Sequence, residues 1–203
     1  MYKVGITGGI GSGKTTVCKV FEVLGIPVFY ADTEAKNIMV SDVLLVEGIK
    51  STFGKESYFN DGKLNNKHIA SIVFDNASEL EKLNALVHPA VFRAFDIWEK
   101  QVATNVPYIL KEAALLFESD SYKMCDTSIL VTAPVEIKIK RVIDRDKVSE
   151  EQVKARMSKQ LSDEEKIKKA KYFIKNDEEH SIIEQVYALH KHFLIVAANA
   201  NNI

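Results

Sequence analysis

The chain has 203 residues, 46% of them hydrophobic, with 27 basic against 28 acidic side chains and a net charge of −1. That length suits one medium domain with a smaller insert, and the absence of a basic excess excludes a general nucleic-acid binder. No run of 18 apolar residues or charged-then-apolar leader is present, so a soluble, cytoplasmic protein with no membrane or nucleic-acid partner is expected, working as a monomer or weak homo-oligomer.

The segment Tyr2-Lys3-Val4-Gly5-Ile6-Thr7 reads as a buried strand. Gly8-Gly9-Ile10-Gly11-Ser12-Gly13-Lys14-Thr15 follows and fits G-x-x-x-x-G-K-[ST] without a mismatch. Apolar residues at Val17, Val20, Phe21 and Leu24 then recur at helical spacing. Strand, glycine loop and helix are the context a phosphate cradle needs. Glycines at 8, 11 and 13 allow positive φ, turning successive N–H groups toward one anion. Lys14 is expected to reach the β- and γ-phosphates, and Thr15 to meet Mg²⁺. The candidate nucleotide contacts are Gly9, Gly11, Ser12, Gly13, Lys14, Thr15 and Thr16. The rival reading is a glycine-rich turn that binds nothing. Cys18 and Cys125 lack metal-ligand or C-x-x-C spacing and read as reduced thiols, without a zinc site.

Ile26 to Tyr30 is a short apolar strand, and Asp32 follows its carboxyl end, just before helical-looking Thr33 to Met39. Carboxyl ends of parallel strands face the ligand crevice, so Asp32 is a candidate general base for a substrate hydroxyl. Asp is equally a preferred helix cap. From Val43 to Thr104 the spacing is helical, which predicts an insert. Asn60-Asp61-Gly62-Lys63 signals a turn, Ser78 is the expected cap of the next helix, and Pro89 is expected in a first helical turn. His88 precedes that proline and reads as a local backbone contact or a ligand group. Trp98, with Val91, Phe95 and Val102, reads as core.

Val106 to Lys111 is the next predicted strand, ending at Glu112, a candidate to orient a magnesium-bound water or a basic residue. Thr127 to Thr132 is another, before Pro134 at a helix start. Strands alternating with helices predict an α/β fold with a parallel, wound sheet. Three of the four arginines, Arg141, Arg145 and Arg156, lie within sixteen residues. Arginine's planar fork suits a transferring phosphoryl group. Ser149-Glu150-Glu151-Gln152 looks like a capping box, so 144–148 would be a hinge in a lid; the alternative is a solvated charged hairpin. Tyr172 to Ile174 is the last predicted strand before Asn176, and Ile182 to Val196 a closing helix.

Taken in order, these residues resemble the dephospho-CoA kinase family of P-loop kinases over nearly the whole chain. The resemblance rests on the P-loop, Ala31-Asp32 with Ala35-Lys36, Phe53-Gly54, Asp61-Gly62-Lys63-Leu64, Val73-Phe74, and Leu83-Asn84 with His88-Pro89. Leu115-Leu116-Phe117-Glu118, Pro134, Arg141, Arg145-Asp146, Arg156-Met157 and Gln160 continue it. It implies transfer of the γ-phosphoryl of ATP, with Mg²⁺, to the ribose 3′-hydroxyl of dephospho-CoA. By the same resemblance Asp32, Lys14 and Arg141 are catalytic, with Asp32 the base and Arg141 a lid arginine. Arg145 and Asn176 contact ATP, and Lys36, His88 and Arg156 bind substrate. It implies a P-loop NTPase-type core at 1–31, 105–134 and 170–203, a helical CoA-binding insert at 32–104, and a lid at 135–169. Tyr30, Asn66, Ala114 and Glu178 depart from the family pattern, which carries Asp, Arg, Pro and Gly there.

A P-loop GTPase would need D-x-x-G and an Asp after Asn66-Lys67; neither occurs. A nucleoside monophosphate kinase-like enzyme, sharing P-loop and arginine lid, is the alternative.

Overall fold

The computed structural model describes residues 1–74, 76–102 and 105–200. Strands β1 (Tyr2–Thr7), β2 (Val28–Tyr30), β3 (Tyr108–Glu112), β4 (Thr127–Thr132) and β5 (Tyr172–Lys175) form one sheet in the order β2-β3-β1-β4-β5. Their pairings are all parallel. The expected wound parallel sheet is therefore present, and the carboxyl ends of its strands share one edge. β1 lies between β3 and β4, so the loop leaving it opens where the strand order reverses, the place such sheets reserve for ligands.

Helix α1 (Lys14–Val23) follows β1. The middle of the chain supplies α2 (Ala31–Ser41), α3 (Val43–Phe53), α4 (Asn66–Val73) and α5 (Ala77–Gln101). After the sheet is completed come α6 (Val135–Asp146), α7 (Glu150–Met157), α8 (Asp163–Ile167) and α9 (Ile182–Ala200). The chain divides into two compact units, Met1–Tyr30 with Val102–Ile203, and Ala31–Gln101. The insert boundary expected at Thr104 and the last three residues of the expected core lie outside the described residues.

In the first unit, alternate strand residues build one face of the core. Val4, Ile6, Tyr108, Leu110, Ile129, Val131 and Ile174 pack with Val17 and Phe21 of α1 and Val186, Phe193 and Ala197 of α9. Side chains two apart on a strand share a face, which is why these positions alternate. Each fully buried Val, Ile, Leu or Phe contributes roughly 1.5–3 kcal/mol by area alone, so the core rather than helix propensity holds α1 in place.

In the second unit, α2, α3 and α4 pack on α5 around buried Ile38, Leu45, Ile49, Phe53, Ile69 and Phe95. Trp98 stacks on Phe95 with ring centroids 6.0 Å apart, in keeping with a packing role. The turn at Gly62 forms with φ +81° and brings Tyr58 opposite Leu64 in an isolated bridge.

Several local expectations are corrected. Asn76, not Ser78, caps α5: its Oδ1 accepts from the Glu79 amide at 3.2 Å, and Ser78 Oγ donates to it at 2.9 Å. Pro89 stands inside α5 rather than in a first turn. Packing of the neighbouring Ala90 and Val91 outweighs the hydrogen bond that proline removes. Helix α2 begins at Ala31, so Asp32 lies in a first turn, not ahead of the helix. The hinge starts later than expected, at Lys147 with φ 54°, because α6 runs through Asp146. The capping box forms as read: Gln152 N donates to Ser149 Oγ at 3.3 Å, and Ser149 N to Gln152 Oε1 at 3.1 Å.

Candidate active site

The loop 8–13 leaves the end of β1 and turns into α1. Gly11 has φ +79° and Gly13 φ +89°. A Cβ on Gly8 would meet the Val131 carbonyl, one on Gly11 the Lys138 carbonyl, and one on Gly13 the Asn176 side chain. Gly13 is the N-cap of α1 and makes no side-chain cap bond, and the partial positive charge of a helix N-terminus suits an anion. Lys14 Nζ donates to the Gly8 carbonyl at 2.9 Å and lies 3.9 Å from Glu112 Oε1. Ser12 Oγ is buried and has no hydrogen-bond partner. Thr15 and Thr16 are exposed at the start of α1.

Asn176 is buried behind this loop. Its Nδ2 donates to the Ser12 carbonyl at 2.8 Å, while Arg141 donates to its carbonyl at 3.1 Å and to its Oδ1 at 3.2 Å. Arg141 also donates to Glu178 Oε1 at 3.3 Å. One carboxamide thus ties the cradle to Arg141, whose Nη1 lies 4.0 Å from where a Cβ on Gly13 would sit. Glu178, where the family pattern has glycine, holds φ 70°, the left-handed region that favours glycine.

The three arginines part company. Arg145 donates to Asp146 Oδ1 at 2.7 Å and Arg156 to its Oδ2 at 2.8 Å. Hydrogen bonding and charge from Arg145, then Arg156, hold the Asp146 carboxyl below the usual carboxylate range. Arg141 points instead at the P-loop side, so a single sequence cluster serves two places.

Two contacts on the P-loop were not legible as site features. The Ile10 amide donates to Gln160 Oε1 at 3.0 Å. Lys138, 3% exposed, pairs with Asp163 at 2.5 Å, and both polar ends lie 3.4 Å from where a Cβ on Gly9 would be. Glu118 joins the same region, accepting from Leu161 N at 2.9 Å and pairing with buried Lys166 at 3.2 Å. Gln160 stood out only as part of a family-like order; nothing in its spacing indicates a partner 150 residues away.

Glu112 is buried at the carboxyl end of β3, and Tyr30 stands opposite it in the β2–β3 register. Burial, then the neighbouring Cys18, Glu22 and Glu112, push the Tyr30 phenol well above its ordinary pKa, so it stays a neutral O–H. Burial likewise raises the Cys18 thiol. In the second unit, Asp32 and Lys36 are exposed on α2, one turn apart. His88, inside α5, is half-buried, and desolvation lowers its pKa. Asp177, Glu179 and His180 form an exposed cluster at the surface, and none of the described helices is long and apolar enough to cross a membrane.

The family model described as dephospho-CoA kinase matches residues 2–181. A dephospho-CoA kinase from Salinibacter ruber is 44% identical over 178 residues, 87% of this chain and 89% of that one. A Thermus thermophilus crystal structure superposes with a TM-score of 0.83 at 31% identity, covering 94% of this chain and 96% of the other. The structure of a dephospho-CoA kinase from Campylobacter jejuni does so with a TM-score of 0.66 at 30% identity, over 93% and 95%. With a complete phosphate cradle at the switch point of its sheet and these likenesses along almost its whole length, the chain belongs to the dephospho-CoA kinase family.

Proposed function

We propose that Asp32, the P-loop and Arg141 together transfer the γ-phosphoryl group of ATP to the ribose 3′-hydroxyl of dephospho-CoA, giving CoA and ADP. The observation that carries this reading is the P-loop with Lys14 at its Gly8 carbonyl and Arg141 tied to it through Asn176, while Asp32 follows two residues after β2 in the chain.

A ribose hydroxyl is a weak nucleophile, and phosphoryl transfer needs chiefly alignment and charge neutralisation. The hydroxyl oxygen attacks the γ-phosphorus as the bond to the β–γ bridging oxygen breaks, and the hydroxyl proton passes to the Asp32 carboxylate. Amides from Gly9 to Thr16 and the Lys14 ammonium hold the phosphates. Arg141, kept at the cradle by Asn176, neutralises charge on the moving group; Asn176 acts by placing it. Arg145 as an ATP contact and Arg156 as a substrate contact would each have to exchange the Asp146 carboxylate, which both hold here, for a ligand oxygen.

The exposed Thr15 hydroxyl and the Glu112 carboxylate are hard oxygen donors and fit Mg²⁺. When bound, Mg²⁺ offsets charge on the β- and γ-phosphates. Lys36 and His88 serve the acceptor, His88 as a neutral hydrogen-bonding ring. Residues 135–169 serve as the lid, with α6 carrying Lys138 against Gly11 and α7 packing Val153 on Ile139 and Val142. A cytoplasmic monomer or weak homo-oligomer is in keeping with this role.

Purified protein with ATP, Mg²⁺ and either dephospho-CoA or nucleoside monophosphates tests the reading. Phosphorylation of dephospho-CoA alone is expected; turnover of only the monophosphates would overturn it in favour of a nucleoside monophosphate kinase.

A further inference from the structure

Residues four apart on a helix lie one above another, so positions 32, 36 and 40 form a ridge along α2. Asp32 starts it, Lys36 comes one turn later and Val40 another turn on. At 1.5 Å per residue, Val40 is about 12 Å along the axis from Asp32. Val40 is also a wall of a groove of about 470 Å³, shared with Val46 and Lys50 of α3 and with Lys55, Tyr58 and Phe59. Val40 and Phe59 are 49% and 56% exposed, so two apolar side chains face solvent at this groove. Tyr58 is buried, and its hydroxyl donates to the Met39 carbonyl at 2.6 Å. Lys50 lies 5.6 Å from the Tyr58 ring and pairs with Glu47 at 3.1 Å. Val40, Val46, Tyr58 and Phe59 give an apolar side and Glu47, Lys50, Lys55 and Asn60 a polar one, a mixture that suits an uncharged chain that carries amides.

We propose that this groove holds the pantetheine arm of dephospho-CoA and that Lys36 pairs with the diphosphate joining arm to adenosine; the inference rests on Asp32 being the group that meets the 3′-hydroxyl. The order of chemistry along the ridge is acid, cation, apolar groove. The order along the substrate is reacting hydroxyl, diphosphate, uncharged arm. Adenine does not fit as the occupant, because it is attached to the reacting ribose itself and cannot lie two helical turns away. The arm is the part of the substrate with both the reach and the polarity.

The test compares two acceptors, dephospho-CoA and the β-methyl ester of adenosine diphosphate, which keeps the ribose hydroxyl and diphosphate and has no arm. For each enzyme the ratio of kcat/KM values for the two gives the preference conferred by the arm, and a general loss of folded protein cancels from it. Val40→Asp and Phe59→Ala are each expected to lower that preference about tenfold, through KM for dephospho-CoA. Lys36→Ala is expected to lower kcat/KM for both acceptors and leave the preference within twofold. A preference unchanged in both groove variants would overturn the assignment of the arm, while wild-type turnover of dephospho-CoA would leave the reaction standing. A wild-type enzyme with no turnover of dephospho-CoA would remove the reaction and the groove assignment together.

Discussion

Gly13 shows how a single residue constrains this site. Its φ of +89° costs a side-chain-bearing residue roughly 1–2 kcal/mol, and an added Cβ would also strike Asn176. Gly25 has nearly the same φ, +81°, with nothing within 4 Å. Gly25→Ala is therefore expected to show strain alone, a fall in melting temperature of a few degrees. Gly13→Ala should fall further and lose ATP binding, as thermal melting and calorimetric titration would show. Glu178 presents the converse case. Glu178→Gly removes left-handed strain and gives up one exposed ion pair worth at most about 1 kcal/mol. A small rise in melting temperature is expected, and a fall would mean that the Arg141 contact outweighs the strain. Asp32→Asn keeps size and removes the proton acceptor. It is expected to retain ATP affinity and lose about two to four decades of kcat, and unchanged turnover would exclude Asp32 as the base.

At the level of elements, the stretch between α7 and α8 is fastened to the P-loop from outside the sheet. Gln160 holds the Ile10 amide, Asp163 holds Lys138 beside Gly9, and Glu118 holds Leu161 and Lys166. A loop held in shape before the nucleotide arrives has less conformational freedom to lose on binding. Gln160→Ala is expected to raise KM for ATP severalfold, with kcat and KM for dephospho-CoA within twofold, in steady-state kinetics. An unchanged KM for ATP would show that the bond does not hold the loop ready for ATP, and a lower one that it must break for ATP to bind. The Lys138 carbonyl of α6 packs where a Cβ on Gly11 would sit, and Val153 of α7 packs on Ile139 and Val142 of α6, so both helices are tied to the P-loop side.

Over the whole molecule, α9 is joined to the sheet by two tyrosine–histidine bonds, Tyr108 to His190 Nδ1 at 2.7 Å and Tyr172 to His192 Nε2 at 2.7 Å. Burial keeps the Tyr108 phenol protonated and lowers the pKa of His190, so the phenol donates and the imidazole accepts. A base whose folded pKa lies below its unfolded value binds fewer protons when folded. Its contribution to stability is complete above the ordinary histidine value of 6.5 and is lost as pH falls through it. Melting temperature is expected to drop between pH 7 and 5.5. His190→Gln, which keeps an acceptor for Tyr108, should flatten that slope; an equal slope in the variant would assign the effect elsewhere.

The P-loop, the alternation of strands and helices, the helical insert and the capping box at Ser149 were legible because each is encoded within a few residues, by periodicity, glycine placement or side-chain reach. Pro89 lying inside α5 was less legible, because packing around Ala90 and Val91 outweighs local preference there, and Asn76 taking the cap from Ser78 was a choice between two capping residues only two positions apart. The sequence by itself determined a P-loop of Gly8 to Thr15 opening into a helix, and an acid two residues after the second strand. Only the tertiary structure decided that Asn176 ties Ser12 to Arg141, that Gln160 holds Ile10, and that Arg145 and Arg156 turn to Asp146 while Arg141 turns to the cradle. The physical reason is distance along the chain: the Asn176–Ser12 and Gln160–Ile10 bonds span 164 and 150 residues, and side-chain partners that far apart are chosen by the packing of the sheet and helices, which no local pattern records.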